Sequence, residues 1–525
     1  MSSKQLRQSQ NAWSNKYFAI AVGAIMVIFI IVHWVNVVCI KLGPRKPGRV
    51  RRLLFRLPRT VLGLGIDRFL LYFVYWMINL TLILTNVDLH TLNYVAKRLG
   101  WISVANFVLL VFLALRNTPL APLSGWSYEK LRPLHKTAGY TCITTSMLHA
   151  TVYLSAWSEA GELGNMAEMQ NFAGAIAGLA MVIIGLSTIG WLVRKSYEVF
   201  YMIHVVLFVL ILIMIGMHRP KISTSTLAII IFTASMWFSD RLLRLAKLCW
   251  YLPGNHAAVT AMSDGALRVK LNRSVHCAPG SHAFLWVPSI RLIETHPFTM
   301  VSTKPAEFLV RVQDGFTHKL YELAKKEPGK LLRCSVDAGY GQLPNFMDFE
   351  RIVLVSGGSG ASFTFAIALH VMKTCAASNS TKTIDFIWSI GYLESLGWFK
   401  TELDQLQRNP NVHVTIHVTR DDSMMNTSET AMQMADLEKT VNVDVEKAPI
   451  HGTDLATTSY LEIKKGRLNI SAYLADCIDR CSDDDRVGIA ACGPAEMLDT
   501  LRQTLGEEKY DSRPSITLHT EEFNW

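Results

Sequence analysis

Hydrophobic and polar positions divide this chain near residue 250. Before that point the apolar residues form long runs; after it the runs are short and broken by Gly, Pro and charge. Seven runs are long enough to cross a bilayer as helices, at 17–40, 66–86, 98–115, 135–155, 171–193, 200–217 and 224–245, since a span needs about 20 apolar residues. After Pro253-Gly254 the pattern shortens to strand length, at Ala258–Met262, Ala266–Leu271 and Ala283–Val287, which predicts a small antiparallel β-barrel. From residue 351 strands alternate with helical patterns: Ile352–Ser356, then Ala361–Met372, then Thr383–Trp388, Val412–Val418 and Val487–Ala491. That alternation predicts an α/β nucleotide-binding sheet. The expected fold class is a multi-domain membrane protein, an all-α transmembrane helical bundle of about seven spans followed by a barrel and an α/β domain. The expected divisions are 1–60, 61–250, 251–345 and 346–525, with a polar, aperiodic and flexible insertion at 421–458.

Charge orients this layout. The net charge of +10 is gathered beside the apolar runs, which the positive-inside rule explains better than nucleic-acid binding does. The loop after the first run carries Lys41, Arg45, Lys46, Arg49, Arg51, Arg52, Arg56 and Arg59 and is expected in the cytosol. Alternation then places the C-terminal half in the cytosol and the acidic loop of Glu159, Glu162 and Glu168 on the other side. Lys97, Arg98, Arg219 and Lys221 fall on that other side as exceptions. Nine cysteines without a CxxC spacing indicate neither a disulfide framework nor a zinc site. The first run reads as an anchor rather than a cleaved signal.

Four histidines add chemistry. His135 and His149 lie fourteen residues apart in one apolar segment, and His204 and His218 repeat the spacing in another. Fourteen residues at about 100° each fall roughly 40° short of four turns, so each pair shares a helix face, roughly 21 Å apart along the axis. The topology levels His135 with His204 near the cytosolic face and His149 with His218 near the opposite one. Two facing pairs across a membrane frame two stacked haems; the bland reading, a histidine hydrogen-bonded between helices, suits a lone residue better than two matched pairs. His33 and His90 have no partner at this spacing and read as interfacial or structural.

The cytosolic half carries ligand-binding patterns. His296-Pro297-Phe298-Thr299 sets an aromatic beside a hydroxyl on a strand, able to stack a flat ring and hydrogen-bond it. Gly315-Phe316-Thr317 opens a helix, where N–H groups can hold a phosphate. Gly357-Gly358-Ser359-Gly360 forms a strand, glycine turn and helix, the phosphate-binding arrangement of nucleotide folds. Cys492-Gly493-Pro494 follows a later strand, where strand C-termini meet ligands; Cys492 is either a small buried residue or ligand-facing.

Together these residues resemble the fungal ferric reductases, within the superfamily that includes the NADPH oxidases. The resemblance also rests on Gly100-Trp101-Ile102-Ser103-Val104-Ala105-Asn106, Arg116-Asn117-Thr118-Pro119-Leu120, Leu134-His135-Lys136 and the ending Glu521-Glu522-Phe523-Asn524-Trp525. It implies a ferredoxin-reductase-like cytosolic module, with His135, His149, His204 and His218 as iron ligands of two b-type haems. It implies FAD at His296, Pro297, Phe298, Thr299, Gly315 and Thr317. It implies NADPH at Gly357, Gly358, Ser359, Gly360, Arg467, Cys492, Gly493 and Pro494, with Cys492, Phe523 and Trp525 as catalytic residues beside the flavin. Two departures stand out. The usual Glu-Gly-Pro-Tyr-Gly reads Asp337-Ala338-Gly339-Tyr340-Gly341, and no arginine follows Trp388-Ser389-Ile390-Gly391-Tyr392.

The implied activity passes electrons from cytosolic NADPH through FAD and the haems to a ferric chelate or siderophore, or to cupric ion, for metal uptake. The implied location is the plasma membrane, with the vacuolar membrane equally compatible with the topology. Membrane lipid is the expected surrounding partner, and no protein partner is indicated. Two rivals stay open: an NADPH oxidase delivering electrons to oxygen, and a non-enzymatic seven-span channel or receptor.

Overall fold

The computed structural model describes residues 3–42, 60–61, 64–218, 224–420, 461–482, 485–505 and 515–522. The basic loop from Arg45 to Arg59, Arg219, Lys221, the 421–458 insertion, Phe523 and Trp525 lie outside the described residues. The chain divides into two compact units, one over 1–39 and 56–246, the other including 247–525.

The described residues of the first half form seven long helices: α1 (Ser3–Leu42), α2 (Ile66–Leu84), α3 (Leu92–Leu113), α4 (Tyr128–Ala160), α5 (Met169–Ser187), α6 (Tyr197–His218) and α7 (Thr224–Tyr251). They match the seven apolar runs. α1, α3, α5, α6 and α7 are long and apolar enough to cross a membrane, and α2 is apolar but shorter. α4 is long but dilutes its apolar residues with Thr, Ser, His and charge. It ends at Gly161, whose φ of 70° is the left-handed turn that glycine adopts without strain.

α1 begins well before its apolar run. Its polar first turns are buried through Asn11, Ser14 and Asn15, and Asn11 explains one exception to the charge pattern. Arg98 is only 2 % exposed. Its Nε donates to Asn11 Oδ1 at 2.7 Å, and its Nη1 donates to the carbonyls of Leu82 and Thr85 at 2.7 and 2.8 Å. A cation on the carbonyls at the end of α2 is where a helix dipole favours it, so Arg98 is a helix clamp rather than a topology charge. Deeper in the bundle, the Tyr75 hydroxyl donates to Asn106 Oδ1 at 2.5 Å, and Asn106 Nδ2 donates to Asn79 Oδ1 at 2.6 Å.

In the second unit, β1 (His256–Met262), β2 (Ala266–Leu271), β3 (His282–Trp286), β4 (His296–Thr303), β5 (Ala306–Arg311), β6 (Leu331–Arg333) and β7 (Ser335–Tyr340) form an antiparallel sheet in the order β6-β1-β2-β5-β4-β3-β7. Helix α8 (Phe316–Lys326) follows β5. Alternate strand residues fill the interior: Val259, Leu267, Val269, Leu285, Met300 and Phe308 are all buried. The second sheet is wholly parallel. It holds β8 (Arg351–Gly357), β9 (Thr383–Ile390), β10 (Val412–Val418), β11 (Leu461–Lys465), β12 (Arg486–Cys492) and β13 (Ser515–Glu521), ordered β11-β10-β9-β8-β12-β13. Its strand order reverses between β8 and β12, the switch point at which such sheets bind ligands. Helix α9 (Ala361–Ser378) is as apolar as a membrane span, yet it covers this sheet with Phe363, Phe365, Ala368 and Val371 buried. The two sheets share one unit, joined by Arg268 of β2, which pairs with Glu307 at 2.7 Å and with Glu402.

Candidate functional site

The four histidines come together in two pairs. The rings of His135 and His204 have centroids 6.3 Å apart and those of His149 and His218 have centroids 6.0 Å apart, with planes inclined at 53° and 70°. Two imidazoles bonded through nitrogen to one metal at about 2 Å place their ring centres roughly 6 Å apart. Both pairs therefore fit a single metal held between two rings. Among the described residues no group of three or more His, Cys, Asp or Glu could hold a metal, so a metal between either pair would need its remaining ligands from a bound group.

Three of the rings are held by backbone. His135 Nδ1 lies 3.0 Å from the Leu110 carbonyl, His149 Nδ1 2.7 Å from that of Ala96, and His218 Nδ1 2.8 Å from that of Gln170. An Nδ1–H donated to a carbonyl fixes the tautomer and points the Nε2 lone pair at the metal. Leu110 stands in the last turn of α3, so His135 caps a carbonyl that the helix itself leaves unpaired. His149 and His218 instead bond carbonyls within α3 and α5. Four residues past each carbonyl stands a glycine, Gly100 and Gly174. A Cβ on Gly100 would lie 3.0 Å from the His149 ring; on Gly174 it would lie 2.5 Å from His218 Nδ1. Each glycine thus opens a seat for an imidazole on a neighbouring helix. His204 differs: its Nδ1 is buried with no hydrogen-bond partner among the described residues. Gly100 was visible in the sequence only as part of a motif, and Gly174 carried no sequence signal, because what each serves is a ring on another helix.

In the barrel, residues 296–299 are half-buried whereas Met300 and Val301, which follow, are buried. His296 stacks on Phe316 with centroids 4.1 Å apart and planes 15° apart, and Phe298 stacks on the same ring at 6.3 Å. Gly315, at φ 82°, turns the chain into α8. The Thr317 hydroxyl both donates to the Gln313 carbonyl at 2.7 Å and accepts from the Gln313 N–H at 2.8 Å, closing the loop that presents the helix N-terminus. Asp337 accepts from the Tyr340 hydroxyl at 2.7 Å and pairs with Lys247 at 3.4 Å, so the departing residues form the end of β7 and carry an ion pair.

On the parallel sheet the two glycine motifs pack against each other. Ser356 pairs in register with Cys492. A Cβ on Gly357 would lie 2.8 Å from Pro494 Cδ, and one on Gly360 would lie 2.6 Å from the Cys492 carbonyl oxygen. Gly358, at φ 54°, makes the turn, and its carbonyl accepts from Trp388 Nε1 at 3.0 Å. The N-terminus of α9 opens directly behind it. A backbone cradle at a helix N-terminus, walled by glycines, suits a pyrophosphate. Cys492 is 2 % exposed, and burial, followed by the charge of Glu521, pushes its thiol well above the ordinary range. Glu521 stands across from Cys492 in register and bonds His519 Nε2 at 2.7 Å; sequence reasoning missed this pair. Arg467 is exposed just past the end of β11.

Three family models match in the order of these structures. A ferric reductase like transmembrane component matches residues 99–215, an FAD-binding domain matches 252–355, and a ferric reductase NAD binding domain matches 349–505. The chain is similar to the ferric reductases over all three stretches. These matches and the apolar helices indicate an integral membrane protein with FAD- and NAD-binding domains after a transmembrane helical bundle. Similar relatives include a probable ferric reductase transmembrane component of Candida albicans, 23% identical over 82% of this chain and 65% of its own length. Ferric reductase transmembrane component 6 of Saccharomyces cerevisiae is 24% identical over 82% of this chain and 60% of its own. Ferric/cupric reductase transmembrane component 2 of Schizosaccharomyces pombe is 25% identical over 82% and 81%. The chain thus spans 65% and 60% of the length of the first two.

Proposed function

We propose that this protein carries electrons across a membrane, from cytosolic NADPH through FAD and two b-type haems to chelated ferric iron, or cupric ion, on the opposite side. The observation that carries the reading is the pair of facing imidazoles repeated fourteen residues along both α4 and α6. When bound, the flavin turns a two-electron donor into a source of single electrons, and haem iron relays them one at a time. The chain's own residues do the rest. His135 and His204 hold the position nearer the cytosol, and His149 with His218 the one farther from it. Held between two imidazoles, each haem iron would have no site left for the acceptor, so these histidines would support relay rather than acceptor binding. The half-buried His296–Thr299 strand, backed by the buried Phe316, receives the flavin, and the N-terminus of α8 faces its phosphates. The Gly357–Gly360 turn receives the NADPH pyrophosphate, with Cys492 and the C-terminal Phe523 and Trp525 at the nicotinamide. The acceptor is a ferric chelate or siderophore, taken at the plasma membrane or the vacuolar membrane.

The test uses purified full-length protein. A reduced-minus-oxidised spectrum should show b-type bands, and NADPH should drive ferric-chelate reduction. His149→Ala should remove the signal of the haem farther from the cytosol and stop chelate reduction, while flavin-dependent reduction of a soluble dye survives. Absence of b-type bands would support the channel or receptor alternative and end the relay reading. Superoxide formation without iron reduction would make the protein an oxidase instead.

A further inference from the structure

The second strand of the parallel sheet ends in Ser389-Ile390-Gly391-Tyr392-Leu393. No carboxylate stands there to take a ribose 2′-hydroxyl, and no arginine to take a 2′-phosphate, the two usual solutions at this place. The structure brings a cation to it from the next strand. Past the end of β10 the parallel ladder continues: Thr419 N–H donates to the Ile390 carbonyl at 2.9 Å, and Arg420 N–H to the Gly391 carbonyl at 3.0 Å. The Arg420 side chain then folds back over Tyr392. Its Nη1 donates to the Tyr392 hydroxyl at 2.8 Å, and its guanidinium carbon lies 5.2 Å from the ring centroid. Tyr392 is itself placed, because its carbonyl accepts from Ser395 N–H at 3.1 Å. Among the described residues, Asp264 accepts from the Ser395 hydroxyl at 2.8 Å and pairs with Arg311 at 3.7 Å.

The register adds a second cation at the same level. Val418 of β10 pairs with Lys465 of β11, and Arg420 and Arg467 each follow that pair by two residues, past the ends of their strands, with Gly466 at φ 99° turning the chain before Arg467. Both lie at the C-terminal edge of the sheet, on the side of β8 where β9 and β10 continue away from the glycine turn.

We propose that Arg420, stacked on Tyr392, binds the adenosine 2′-phosphate of NADPH and sets the preference for NADPH over NADH. This rests on the reading of the Gly357–Gly360 turn as the dinucleotide site. Arg420 takes from the neighbouring strand the task that an arginine directly after β9 would otherwise perform. A guanidinium has five donors, of which one is spent on Tyr392, and its planar fork matches a phosphate.

The test is equilibrium binding to full-length protein in detergent, with adenosine 2′,5′-bisphosphate and 5′-AMP as probes; they differ only in the 2′-phosphate. Wild type should prefer the bisphosphate. Arg420→Ala should lose about ten- to a hundredfold of bisphosphate affinity, the range for one charge-assisted contact, and leave 5′-AMP binding unchanged. Arg420→Lys should recover part of the loss. If Arg420→Ala keeps the wild-type ratio while Arg467→Ala collapses it, the proposal fails and the dinucleotide reading stands. Equal wild-type affinity for both probes has the same meaning. If wild type binds neither probe, the dinucleotide reading itself fails.

Discussion

Gly174→Ala adds a single methyl group at the seat of His218, and the structure grades its effect. The new Cβ would lie 2.5 Å from His218 Nδ1, about 0.9 Å inside the 3.4 Å at which ordinary contact begins. The ring sits against backbone-held Cβ geometry, so the ring must retreat. A retreat of that size away from α5 stretches the 2.8 Å bond to the Gln170 carbonyl to roughly the 3.5 Å limit of a hydrogen bond or beyond it. Losing such a support typically costs about ten- to a hundredfold in metal affinity or activity. Two further alanines calibrate the scale. Gly100→Ala meets His149 at 3.0 Å, a misfit of a few tenths of an ångström, and Gly139→Ala meets Leu110 at 3.5 Å, an ordinary contact. The assay is potentiometric titration of the reduced-minus-oxidised spectrum of purified protein, with haem content measured per flavin. The expected order of damage to the haem farther from the cytosol is Gly174→Ala, then Gly100→Ala, then Gly139→Ala with none. A Gly174→Ala protein with both haems at wild-type content and potential would refute the seat.

Other outcomes follow from the second unit. Arg351→Met leaves the fully buried Asp385, now bonded by Arg351 Nε at 2.7 Å, with the more distant Arg480 at 3.4 Å as its ion-pair partner among the described residues; stripping one partner from a buried pair should cost about 3–5 kcal/mol, read as a lower unfolding midpoint of the second unit. Lys247→Met removes the cation facing Asp337, which is 1 % exposed; the Lys247 chain is partly exposed, so the loss should be only about 1 kcal/mol, seen as FAD released at lower temperature. Burial works to raise the Glu350 carboxyl, but bonds from Arg486 outweigh it and hold it below its ordinary 4.5. Its stabilisation is therefore full above that value and fades as pH falls through the lower folded value. Glu350→Gln should flatten the acid limb of stability below about pH 4.5; an unchanged acid limb would remove Glu350 from that account.

The reach of the sequence depended on the kind of partner each residue has. The histidine pairs were legible because their partners repeat at a helical period, and the seven runs gave the bundle because length and apolarity are local properties. The glycine turns were legible as a strand-to-helix pattern. Gly174 was silent, since what it contacts is a ring on another helix. Arg98 read as a misplaced charge because its answer, Asn11 in the polar start of α1, lies far away in sequence. Apolarity alone does not separate the two kinds of helix: α4 falls below the hydropathy of a membrane span while α9 reaches it. Arg420 gave no signal, because its meaning comes from a strand register that brings residues 391 and 420 together.

The one untethered imidazole has a consequence for assembly. Three rings are aimed before any iron arrives, so a haem entering between His149 and His218 meets two ligands whose rotation is already frozen and pays little entropy to order them. Between His135 and His204 one ring remains to be oriented by the incoming metal itself. On the proposed function, the site farther from the cytosol is a finished socket and the nearer one a half-built socket. During biogenesis the former should fill first and release its haem last.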